Sequence, residues 1–169
     1  GGYTYGIYVK DTIAYVADDW NGLRLIDVTN PSSPTEIGFY DTGDEAIRVY
    51  VQDTVAYVAD GDDGIRLIDV SDPSSPIEIG FYDTGDWAIG VYVQDTIIYV
   101  ADACDGIYLI YYYGNTGIKE NKNGNGNNIY NIKVKMQDGL CIDYNISEIK
   151  NVSISIYNII GQKVYSNKG

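Results

Sequence analysis

The 169-residue chain has no histidine, and only two cysteines, one methionine, four prolines, two tryptophans and two phenylalanines. The missing histidine excludes imidazole general bases, histidine-dependent triads and most zinc or transition-metal sites. No glycine-rich loop of the phosphate-cradling or dinucleotide type is present, and no serine sits in a nucleophile-elbow context. Carboxylates do occur in pairs, which leaves an acid–base pair open, although aspartates in turns are the ordinary reading. No apolar run is longer than a strand, so there is no transmembrane segment. Bases are scarce, 11 against 24 acids.

Tyrosine is plentiful, at 18 residues. With the many valines and isoleucines it favours strands, and helical periodicity is absent. The class read from this is all-β. Charge divides the chain: residues 1–114 hold 20 acids and 4 bases, residues 115–169 hold 4 acids and 7 bases. The acidic first part repels phosphate backbones, so nucleic acid is not an expected partner. Cys104 and Cys141 could bridge the two parts, but two free, half-buried thiols are the expectation.

A repeat of 42 residues organises the first part. Tyr15, Tyr57 and Tyr99 follow that spacing, as do Asp18, Asp60 and Asp102, and Gly22, Gly64 and Gly106. Ile7–Arg48 matches Val49–Gly90 at about 30 of 42 positions, and a third copy fades after Ile110. The second copy contains four strand-sized runs, Ile47–Gln52, Val55–Ala59, Ile65–Val70 and Ile77–Tyr82, separated by turn residues. Runs such as Val55–Ala59 are apolar on both faces, as expected of strands sandwiched between neighbouring sheets. Four antiparallel strands in about 42 residues is the size of a propeller blade. The fold expected is a partial β-propeller of about three blades, the last incomplete, over residues 1–113.

Gly64-Ile65-Arg66-Leu67-Ile68-Asp69-Val70-Ser71-Asp72-Pro73, preceded by Ala56-Tyr57-Val58-Ala59-Asp60, resembles the LVIVD repeat of bacterial and archaeal surface propellers. Gly22–Pro31 repeats the motif, whereas Tyr111-Tyr112-Tyr113 replaces it in the third copy. The resemblance implies a secreted or cell-surface protein. Gly1–Gly6 aligns with the end of a repeat, so further blades and the native N-terminus are expected upstream. An incomplete ring would expose blade faces and be prone to aggregate.

Residues 114–128 are rich in Asn and Gly and read as a flexible linker. Short alternating strands resume in residues 129–169, as in a partial Ig-like β-sandwich. Ile142–Ile146 and Asn151–Val164, above all Tyr157-Asn158-Ile159-Ile160-Gly161-Gln162-Lys163-Val164, resemble the C-terminal sorting domain of type IX secretion. The resemblance implies a partner in the secretion machinery of the outer membrane, and a domain truncated at Gly169.

Sites are sought where the repeats disagree, because their agreements build the fold. Trp20 stands against Asp62 and Cys104, and Glu45 against Trp87. In a propeller these turns open on one face, which gives Trp20, Glu45, Asp86 and Trp87 as candidate contacts to a protein or glycan ligand. The competing reading has aspartates capping turns and tryptophans packing between blades. Asp60, Asp62 and Asp63 form the best candidate calcium cluster, although Ser71 stands where a closing Glu would be needed. No other cofactor is expected. Arg24 and Arg66 recur beside Asp27 and Asp69 and read as structural partners. The function expected is a non-enzymatic binding or scaffold module; the alternative is part of an extracellular carbohydrate-active propeller enzyme.

Overall fold

A computed structural model describes residues 2–112 and the strands within 130–136, 140–145, 153–157 and 163–168. The segment read as a linker, 114–128, lies outside the described residues. The first sheet runs β1 (Gly6–Lys10), β2 (Ile13–Ala17), β3 (Leu23–Asp27) and β4 (Thr35–Tyr40), each strand antiparallel to the one before. The second repeats it with β5 (Ala46–Gln52), β6 (Val55–Asp60), β7 (Ile65–Asp69) and β8 (Ile77–Tyr82). The third begins with β9 (Ala88–Gln94) and β10 (Ile97–Asp102), then a single 3-10 turn at Ala103–Asp105 and β11 (Gly106–Tyr111). Among the described residues there is no α-helix. The chain is all-β, and its three small antiparallel sheets are consistent with partial propeller blades.

The third sheet departs from the expectation that it ends incomplete. β12 (Tyr130–Met136) pairs antiparallel with β11, Ile107 opposite Val134, in the edge position that β4 and β8 hold in their sheets. β13 (Leu140–Asn145) adds a fifth strand, while β14 (Ser153–Tyr157) and β15 (Lys163–Lys168) form a two-stranded sheet. The alternating residues of β12 suit either assignment, because alternation marks a strand without naming the edge it joins.

Period-2 alternation gives each sheet two different faces. Tyr15, Ala17, Leu23 and Leu25 of the first sheet meet Val49, Val51, Ala56, Val58 and Ile68 of the second in one buried cluster. Tyr57, Ala59, Ile65 and Leu67 on the far side of the second sheet meet Val93, Ile98, Val100 and Ile110 of the third in another. Every residue of β6 is buried, as its two-sided apolar pattern requires. Between the sheets, Tyr8, Tyr50 and Tyr92 on the first strand of each form a ladder with centroids 5.0 Å apart at both steps.

Tight hairpins join the first two strands of each sheet. Asp11, Asp53 and Asp95 occupy their left-handed corners, at φ 53°, 53° and 55°. Aspartate tolerates that conformation better than most residues.

Candidate functional site

Two segments of each repeat build one end of the sheet stack: the turn between second and third strands, and the connection from one sheet to the next. In the second repeat the turn closes through Asp63 N–H donating to the Asp60 carbonyl (3.0 Å) and Gly64 N–H to that of Gly61 (3.2 Å). Gly64 has φ +75°, and a Cβ there would lie 2.3 Å from the Tyr82 carbonyl oxygen. Only glycine fits this position. Bridges Asp19–Ala46 and Gly61–Ala88 tie each turn to the first strand of the following sheet.

The connection is pinned to the next turn by side chains. The Thr42 hydroxyl donates to Asp60 Oδ1, and Thr84 repeats the contact on Asp102 at 2.5 Å. Two residues further on, Asp44 accepts from Asp62 N–H (2.7 Å) and Asp86 from Cys104 N–H (3.1 Å). The expected sharing of one face by these two segments is therefore present. The Asp-Thr-Gly-Asp string, identical in both repeats, is the signal that could have revealed the threonines, which the sequence reading overlooked.

Asp60 is fully buried. Burial pushes its carboxyl up to about 6, against the opposing pull of the Thr42 hydrogen bond and the Arg66 charge. Its second oxygen receives Arg66 Nε at 3.3 Å, and the same guanidinium reaches Asp63 (2.5 Å) and Glu78 (3.3 Å). Arg66 also lies over the Phe81 ring, 5.2 Å from its centroid. Arg24 makes the simpler version, with Asp18 (3.0 Å) and Glu36 (2.5 Å).

These contacts correct two expectations. The arginines do not pair with Asp27 and Asp69, because residues three apart on a strand point to opposite faces. Asp27 and Asp69 instead accept from Thr29 and Ser71 N–H, as turn caps. Asp60, Asp62 and Asp63 do not converge as a calcium site. Asp60 and Asp63 turn their carboxylates onto Arg66, and among the described residues no group of three or more His, Cys, Asp or Glu side chains could hold a metal.

The four candidate contacts fall into different environments. Trp20, on the turn of the first sheet, is 62 % exposed. Trp87 is 43 % exposed, but its indole edge also lies against the second sheet's turn, where a Cβ on Gly61 would come within 2.8 Å of Nε1. Trp87 thus combines the two readings of the tryptophans, open on one side and packed across a sheet junction on the other. Asp86 is occupied structurally, accepting from Trp87 and Cys104 N–H. Glu45 is half-buried at the position equivalent to Tyr3 and Trp87. Tyr3 and Tyr5 add two more exposed rings, 6.2 Å apart, which the sequence reading did not single out. Cys104 is a free thiol and is exposed rather than half-buried, since it occupies the turn position of Trp20.

The fold and the turn chemistry have a counterpart among known families. Residues 1–42 and 43–84 each match the LVIVD repeat. The chain carries two LVIVD repeats. They coincide with the first two sheets and the connections leading into them. No curated protein matches the sequence. Among solved structures, the computationally designed Ika8 protein superposes with a TM-score of 0.56 over 97 % of this chain, at 10 % identity. The chain spans 61 % of that protein's length. The computationally designed Ika4 protein gives 0.54 over 99 % of this chain and 91 % of its own, at 6 % identity. At such identities the likeness concerns the fold alone.

Proposed function

We propose that the LVIVD repeats form a non-enzymatic, propeller-like binding or scaffold module of a secreted or cell-surface protein. The observation that carries the reading is the exposure of Trp20 and Trp87 at turn positions that vary between repeats, on turns whose aspartates are locked in place. Large rigid aromatics held on a fixed base lose little entropy on binding, and acids around them favour a basic protein surface or a hydroxyl-rich glycan. Residues 129–169 act as the sorting region in this reading, on the strength of the segment Tyr157–Val164.

A glycan array and a panel of basic proteins, probed with the labelled intact chain and with Trp20→Ala and Trp87→Ala, test the binding role. Loss of a retained ligand in the tryptophan variants supports it; equal retention by all three chains refutes the assigned face. Export is tested by fusing residues 129–169 to a fluorescent reporter in a bacterium with type IX secretion. A reporter that stays inside the cell overturns the sorting role.

A further inference from the structure

The two outer faces of the three-sheet stack carry the two halves of the interface that already joins its sheets. On the outside of the first sheet lie Ile7 (65 % exposed), Val9 (56 %), Val16 and Ile26. Their equivalents 42 residues on, Val49, Val51, Val58 and Ile68, are all buried against a neighbouring sheet. On the outside of the third sheet lie Tyr92 (52 % exposed), Tyr99, Ala101 and Ile107 (45 %). Their equivalents in the second sheet, Tyr50, Tyr57, Ala59 and Ile65, line the cluster shared with the third.

We propose that a second copy of this chain covers both faces. The third sheet of each copy seats on the first sheet of the other, and two copies close a ring of six blades.

Three observations favour this occupant. The apolar residues of the two open faces match the internal interfaces in type and register, so no new complementarity is required. The polar contacts also continue. Lys10 Nζ donates to the Asp53 carbonyl (2.6 Å) and Gln52 Nε2 to that of Asp95 (2.9 Å), each reaching the hairpin corner of the next sheet. Gln94 is the next donor in the series and is exposed, and Asp11 offers the same left-handed corner at φ 53°. The junction places Gln94 of one copy on the Asp11 carbonyl of the other, and Tyr92 against Tyr8 as the next rung of the tyrosine ladder. Finally, unlike faces meeting head to tail form a heterologous interface, which is finite only if the rotation closes. Propellers typically have about 4–8 blades, so two copies of three sheets fall inside that range and three copies outside it.

Sedimentation equilibrium of the intact chain over a wide concentration range tests the proposal. The expected result is twice the single-chain mass with nothing larger. Val9→Lys blocks the first-sheet face and Ile107→Lys the third-sheet face; each variant is expected to halve the mass. Both positions are exposed in the single chain, so an unchanged circular dichroism spectrum shows that the fold is intact. Mixing the two variants restores the two-chain mass, because one junction remains unblocked. Single-chain mass for the parent at every concentration overturns the proposal, as does growth without limit. Dissociation by only one of the variants signals pairing of like faces and overturns it too.

Discussion

The Thr42 hydroxyl donates to the buried Asp60 carboxylate across the point where the chain passes from the first sheet to the second. Thr84 and Asp102 make the same bond between the second and third. A carboxylate that would otherwise be costly to bury is thereby turned into the fastening of each sheet to the next.

Replacing Thr42 by valine keeps the shape and removes the donor. The expected loss is about 1.5–3 kcal/mol near neutral pH, the usual worth of a hydrogen bond to a charged group. The Asp60 carboxyl should titrate higher still, since this bond favours its ionised form. Urea unfolding reads the first effect and a carbon-13 carboxyl titration the second. An unchanged midpoint and titration would show that the bond contributes nothing.

Asp60 also sets a pH dependence. Its folded value, about 6, lies above the ordinary 3.8, so between these values the folded state binds more protons than the unfolded. The contribution of Asp60 to stability is therefore present in full below about pH 4 and is lost as pH rises through about 6. Unfolding free energies of the parent and Asp60→Asn, measured from pH 4 to 7, should diverge with that sign. Parallel curves would mean that Asp60 is ionised throughout.

Two glycines separate conformation from crowding. Gly85 has φ +85° and nothing within 4 Å of a would-be Cβ, so Gly85→Ala should cost only the left-handed strain, about 1–2 kcal/mol. Gly64→Ala meets the Tyr82 carbonyl as well and should cost a further 1–3 kcal/mol or so, the usual range for overpacking. Equal losses in chemical denaturation would contradict the crowding at Gly64.

Calcium should leave thermal stability unchanged. Asp60 and Asp63 are already matched to Arg66, and binding a cation there would require breaking those pairs. A rise in melting temperature of several degrees in millimolar calcium, abolished by a chelator, would identify a site elsewhere on the chain.

The sheets were readable because the repeat states its strands more than once: Ile77–Tyr82 falls on β8 to the residue, and the other runs of the second copy agree to within one. The site was less so. Arg66 finds Asp60, Asp63 and Glu78 through pairing across three strands, which spacing along the chain does not encode. The pairing of β11 with β12 spans an even longer interval, and a strand's own alternation does not name its partner. Trp20 and Trp87 were found by comparing repeats, but their exposure depends on turn geometry that composition does not describe.

The sameness of the two sheet junctions has a consequence for how such a chain can change over generations. An in-register duplication or deletion of 42 residues inserts or removes one whole sheet and leaves a junction of the same residue types at the splice. Length is thus free to vary by whole units at little structural cost, while a shift of even one residue would turn every inward side chain to the wrong face.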